Sequence, residues 1–153
     1  NGNDGKDTII GNAGNDTITG GNDADTMTGG TGTDTFVFVG GGGQQTGNDA
    51  ANDADVITDF VTGTDKIDLS AANDTGALLA DNDGIEIVLS GTANGIDDYD
   101  DALTAANTYF ASSDTSNDVY VAVNAFNSGN SYVFIDADDD NDIDAADFVI
   151  ILT

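Results

Sequence analysis

Asp7, Asp16, Asp25 and Asp34 stand nine residues apart, and each is followed two positions later by a large apolar residue: Ile9, Ile18, Met27 and Phe36. The four phrases are GNDGKDTII (2–10), GNAGNDTIT (11–19), GGNDADTMT (20–28) and GGTGTDTFV (29–37). Carboxylates held in phase among glycines, in a chain with no His and no Cys, form a set of hard oxygen donors. Such donors suit Ca²⁺ and not zinc. The glycines let carbonyl oxygens converge beside each carboxylate with no Cβ in the way.

A second oxygen-rich run lies near the end of the chain. Asp136, Asp138, Asp140, Asp144 and Asp147 fall at positions 1, 3, 5, 9 and 12 of an EF-hand-type loop, with Ile143 at the apolar position 8. Asp142 at position 7 would act through its carbonyl. Asn141 replaces the usual glycine, and Asp147 replaces the bidentate Glu, which shortens its reach. The flanks read as strands rather than helices. An acidic turn without metal is the plain alternative.

The elements that position the repeated aspartates follow from the period. Each phrase divides into a six-residue turn and a three-residue strand whose central apolar residue points inward, while flanking threonines face solvent. A fixed period over four copies predicts a solenoid. A flexible Gly/Asp-rich linker would not keep its apolar residues in phase. Asp23 stands where glycine is expected, so the third turn is strained.

These phrases resemble the parallel β-roll of RTX (repeats-in-toxin) proteins, with their G-G-x-G-x-D-x-U-x calcium repeat. The resemblance implies two phrases per coil and ions between turns two phrases apart. Asp7 then pairs with Asp25 and Asp16 with Asp34, giving about two complete internal sites. Segment 55–70, DVITDFVTGTDKIDLS, is similar to the strand-turn-strand that follows the roll in serralysin-type proteases. That likeness implies further calcium ligands at Asp59 and Asp65, with Asp68 on the next strand facing solvent; an ordinary acidic hairpin is the alternative.

The fold class expected is mainly β: a parallel β-roll over 1–39, a flexible loop over 40–54, and a small α+β or β-sandwich-like region over 55–153. The low-complexity run GGGGQQTGNDAANDA marks the loop. In the last region 85–90 reads as a strand and 97–111 as a helix with Tyr99, Leu103, Ala106 and Phe110 on its apolar face. Asp97, Asp98, Asp100 and Asp101 suit its first turn. Segments 118–126 and 131–136 read as a hairpin.

Composition narrows the function. The chain has 153 residues and a net charge of −27; its only bases are Lys6 and Lys66, and all its acids but Glu86 are Asp. Halophilic adaptation would use Glu freely, whereas near-exclusive Asp points to turns and metal loops. Such charge disfavours nucleic acid and anionic membranes as partners. Without His or Cys, metalloprotease motifs, Ser-His-Asp triads and Cys-His pairs are excluded, so no enzyme is expected. Charge of this density opposes collapse until several Ca²⁺ ions neutralise it, which makes binding part of folding.

The expected setting is extracellular, at a bacterial cell surface, where about 10⁻⁴–10⁻³ M affinities suffice. The sequence shows no N-terminal signal peptide and no long apolar span. The RTX resemblance implies export through type I secretion machinery, whose signal is C-terminal; the ending FVIILT fits such a tail or a last core strand. The role expected is a structural module of a surface layer, adhesin or self-assembling filament. If residue 1 is the mature start, the first coil offers an open edge and half-sites at Asp7 and Asp16 to another copy. The alternatives are a fragment boundary at residue 1 and the secretion and folding domain of a larger RTX protease or lipase.

Overall fold

The repeat phrases fold into short strands separated by tight turns. In the computed structural model, which describes residues 1–39, 54–71, 99–112, 119–122, 130–135, 143 and 148–153, these are β1 (Asn3–Asp4), β2 (Thr8–Ile10), β3 (Thr17–Ile18), β4 (Gly21–Asn22), β5 (Thr26–Thr28) and β6 (Thr35–Val39). Strand β2 pairs in parallel with β5, Ile9 opposite Met27, and β3 pairs with β6, Ile18 opposite Phe36. Alternate phrases therefore build two opposed sheets, and the chain coils once every two phrases. The common register turns every repeat hydrophobe to the same side, since a one-residue slip would expose the whole set.

The roll continues past the fourth phrase. Strands β7 (Asp55–Ile57) and β8 (Lys66–Ala71) join different sheets: β7 pairs with β5, Met27 opposite Ile57, and β8 pairs with β6, Phe36 opposite Ile67. The acidic-hairpin alternative for 55–70 is thus corrected, because its two strands do not pair with each other. They form a third coil. Its segment 52–58 (NDADVIT) repeats the pattern of 22–28 (NDADTMT), and Thr62-Gly-Thr-Asp65 repeats Thr31-Gly-Thr-Asp34.

The sheet of β2, β5 and β7 extends into the second half of the chain. Strand β11 (Phe148–Leu152) lies parallel to β7 and antiparallel to β10 (Ser131–Ile135), which pairs with β9 (Val119–Ala122). The order is β2-β5-β7-β11-β10-β9, and the expected hairpin is the β9/β10 pair. Strands buried on both faces read as continuous apolar runs, as SYVFI and FVIIL do. Val133, Ile135, Ile150 and Leu152 enter the roll core with Met27, Phe36 and Ile57. Tyr132, Phe134, Val149 and Ile151 face helix α1 (Tyr99–Ser112).

Helix α1 spans the described part of the expected segment and ends one residue later, at Ser112. Ala102 and Ala106 are fully buried, so the helix sits close on the sheet, and Tyr99 meets Tyr132 edge-on at 5.6 Å. Each fully buried side chain such as Phe36 or Ile150 contributes about 1.5–3 kcal/mol. The terminal segment FVIILT is a core strand, clasping the end of the roll. Among the described residues no helix is long and apolar enough to cross a membrane.

Candidate metal centre

Backbone geometry in the repeat turns is uniform. Positions two and four of every phrase take positive φ: Asn3 and Gly5, Asn12 and Gly14, Gly21 and Asp23, Gly30 and Gly32. Asp23, at 73°, bears the strain expected of it, and Asn3 and Asn12 adopt the same region at 76°. Asn and Asp tolerate it better than other side chains.

The first glycine of each phrase serves another purpose. A Cβ on Gly2 would stand 2.5 Å from both Asp7 Oδ2 and the Gly20 carbonyl oxygen. On Gly11 it would stand 2.5 Å from the Gly29 carbonyl oxygen and 2.7 Å from Asp16 Oδ2. Two cradles result, each joining a carboxylate oxygen to a carbonyl oxygen of the next coil.

The aspartates form two ladders along the roll. The Asp7 N–H donates to Asp25 Oδ1 at 2.8 Å, and the Asp25 N–H donates to Asp55 Oδ1 at 2.7 Å. On the other sheet the Asp16 N–H donates to Asp34 Oδ1 at 2.9 Å, and the Asp34 N–H to Asp65 Oδ1 at 3.0 Å. The pairs Asp7/Asp25 and Asp16/Asp34 are thus brought together. The Oδ2 atoms of Asp7, Asp16, Asp25 and Asp34 are all buried without a hydrogen-bond partner. A buried carboxylate oxygen with no donor is expensive, and a cation is what relieves it.

The electrostatics agree. Burial raises the Asp25 carboxyl above the ordinary carboxylate range, against the hydrogen bond from the Asp7 N–H and with help from the charges of Asp7 and Asp23. Burial likewise pushes Asp55 up to about 7, opposed by the Asp25 N–H and reinforced by the Asp25 charge. Among the described residues no three carboxylates gather around one point. The donor mix is carboxylate plus main-chain carbonyl, which fits Ca²⁺.

Asp55 went unrecognised in the sequence because Ala50 and Ala51 replace its phrase's glycines. The usable signal was the repeated NDADxxT. Asp59 and Asp65 differ from the repeat aspartates. Asp59 accepts the Gly29 and Gly30 N–H groups, one on each oxygen, both at 2.8 Å. Asp65 accepts the Asp34 N–H on one oxygen and the Val61 N–H on the other, at 2.9 Å. Asp68 is paired in register with Val37, one position from inward-facing Ile67, so it lies on the outer face.

Asp136, Asp138, Asp140, Asp142, Asp144 and Asp147 lie outside the described residues, as do the loop over 40–53, the strand over 85–90 and the helix-start residues Asp97 and Asp98. Ile143, in the middle of the EF-type loop, is described. It is buried against the helix core, and its N–H donates to Asn107 Oδ1 at 2.9 Å.

Residues 1–36 match the family model of the RTX calcium-binding nonapeptide repeat in four copies. No curated protein matches the chain. Among solved structures, the solution structure of the AlgE6R3 subunit from the Azotobacter vinelandii mannuronan C5-epimerase is similar, with a TM-score of 0.52 and 23% identity. The likeness covers 95% of this chain and 59% of that one, so the chain spans about three fifths of its length, and what is shared is the fold. The opening of the chain is an array of RTX repeats, and its metal is calcium.

Proposed function

We propose that this is a calcium-dependent structural module of an extracellular protein, exported by type I secretion and folding on Ca²⁺ outside the cell, where it contributes to a surface layer, adhesin or self-assembling filament. One observation carries the reading: four buried Oδ2 atoms without donors, at Asp7, Asp16, Asp25 and Asp34, repeated along one roll. Asp16 with the Gly29 carbonyl supplies the best-formed ion cradle. At Asp7 the converging Gly20 carbonyl also accepts the Gly2 and Asn3 N–H groups, so Asp7 Oδ2 is the free oxygen there. Asp25 and Asp34 hold the second coil in register through Oδ1 and offer Oδ2 to metal. Asp136, Asp138, Asp140, Asp142, Asp144 and Asp147 are proposed as a further calcium loop on their spacing.

When bound, calcium supplies positive charge to these oxygens. The chain's own part is to aim them: the ladder fixes each carboxylate, and the first glycine of each phrase leaves the room. A net charge of −27 makes the metal-free chain self-repelling. No catalytic role is proposed.

A second reading is that of a secretion and folding domain within a larger RTX enzyme such as a protease or lipase. It is favoured by the similar subunit's place in an epimerase. Light scattering during a calcium titration from chelator to about 10 mM, beyond the weak end of extracellular affinities, separates the two. Growth into large particles, reversed by chelator, supports the assembling module. A compact monomer throughout supports the domain of a larger enzyme.

A further inference from the structure

The third coil holds a carboxylate that stands in for backbone. In the first coil, the Gly20 carbonyl accepts the N–H groups of Gly2 and Asn3 at 2.8 and 3.2 Å, closing the turn. At the same phrase position on the other sheet, the N–H groups of Gly29 and Gly30 are taken by the two oxygens of Asp59, both at 2.8 Å. One coil earlier on that sheet, the Gly11 N–H goes to the Thr28 carbonyl at 2.9 Å. Asp59 is also the extra residue of the coil: Asp55 and Asp65 are ten residues apart, whereas Asp25 and Asp34 are nine apart. The coil therefore inserts one residue and uses its side chain as the acceptor.

This contact bears on the Asp16 cradle through a single peptide unit. In a planar trans peptide the N–H and C=O point in opposite directions. The Gly30 N–H points at Asp59 Oδ2, so the Gly29 carbonyl of the same unit points away from it. That carbonyl oxygen is the one converging with Asp16 Oδ2 beside Gly11.

We infer that Asp59 is a positioning residue for the Asp16 calcium site, aiming the Gly29 carbonyl from behind, and is not itself a calcium ligand. Both its oxygens already have N–H donors, whereas Oδ2 of each repeat aspartate has none. The inference departs from the ligand role that the serralysin resemblance implies for Asp59. It rests on the calcium reading of the cradle proposed above.

The test is calorimetric titration of calcium into the full chain and into Asp59→Ala, Asp16→Asn and the double variant, with amide exchange read at Gly29 and Gly30. Loss of a group that orients a metal's donor lowers affinity about 10–100-fold. Asp59→Ala is expected to weaken one ion by that factor, with the ion count unchanged at saturation and faster exchange at both amides. In the Asp16→Asn background, where that site is gone, Asp59→Ala is expected to change calcium binding no further.

Loss of a second ion in the double variant would make Asp59 a ligand elsewhere and overturn the inference. So would unchanged affinity in Asp59→Ala. If that variant does not fold at any calcium concentration, Asp59→Asn, which keeps one acceptor oxygen, is read by the same two criteria. An unaltered chain that takes up no calcium overturns the cradle reading and the inference with it.

Discussion

Gly11→Ala isolates the cradle from the turn that carries it. Gly11 has no positive φ, so alanine there imposes no backbone strain. The added Cβ would stand 2.5 Å from the Gly29 carbonyl oxygen and 2.7 Å from Asp16 Oδ2. Ordinary contact begins near 3.4 Å, so something must yield by about 0.9 Å. The carbonyl does not yield cheaply, since it belongs to a turn pinned by Asp59, and Gly11 itself is held by its N–H bond to the Thr28 carbonyl at 2.9 Å. Overpacking of this kind costs about 1–3 kcal/mol.

With folding coupled to two ions, a 2 kcal/mol penalty raises the calcium midpoint about fivefold, since about 1.4 kcal/mol is tenfold in the equilibrium. Gly5→Ala provides the comparison. Its φ is +96° and an added Cβ meets nothing within 4 Å. It carries only a left-handed penalty of about 1–2 kcal/mol. Both variants move the folding midpoint, read by circular dichroism, by similar factors. Calcium per chain, read by equilibrium dialysis, falls by one in Gly11→Ala and stays whole in Gly5→Ala. Equal ion counts in the two variants would refute the cradle.

Three further outcomes follow from the same structure. Asp25→Ala raises the calcium midpoint at least tenfold, because it removes a ladder rung and a metal-facing oxygen, while Asp101→Ala on the exposed side of α1 leaves it within twofold; titration followed by circular dichroism compares them. Phe36→Ala empties a fully buried position between the two sheets and costs about 3–5 kcal/mol, measured as a fall in the urea midpoint with calcium present. Asp55 has a folded-state pKa of about 7 against an unfolded value near 3.8, so its contribution favours the folded metal-free chain at low pH and is lost as pH rises through about 7. The metal-free roll is therefore more stable at pH 5 than at pH 8, by about 2–3 kcal/mol at most, and Asp55→Asn flattens that difference in urea titrations at the two pH values.

The repeat aspartates and the coil were legible because nine-residue spacing and apolar phase are local properties. The pairs Asp7/Asp25 and Asp16/Asp34 came from the RTX resemblance, which implies two phrases per coil. The third coil was harder to see. Its phrases lost their paired glycines to Ala50 and Ala51 and to Phe60 and Val61, and Asp59 broke the count by one. Phe60 turns inward instead, its ring 6.2 Å from that of Phe36. Asp55 and the side-chain acceptor role of Asp59 were missed for that reason. The parallel pairing of β7 with β11 was equally hidden, since it joins residues 95 positions apart, such as Asp55 and Ile150, by shape and burial alone.

The most direct test of the whole account is far-UV circular dichroism of the chain titrated with calcium, with a parallel magnesium titration. The account predicts a cooperative gain of β structure with a midpoint at about 10⁻⁴–10⁻³ M calcium, reversed by chelator and not reproduced by magnesium at the same concentration. A spectrum unchanged between chelator and saturating calcium would contradict it.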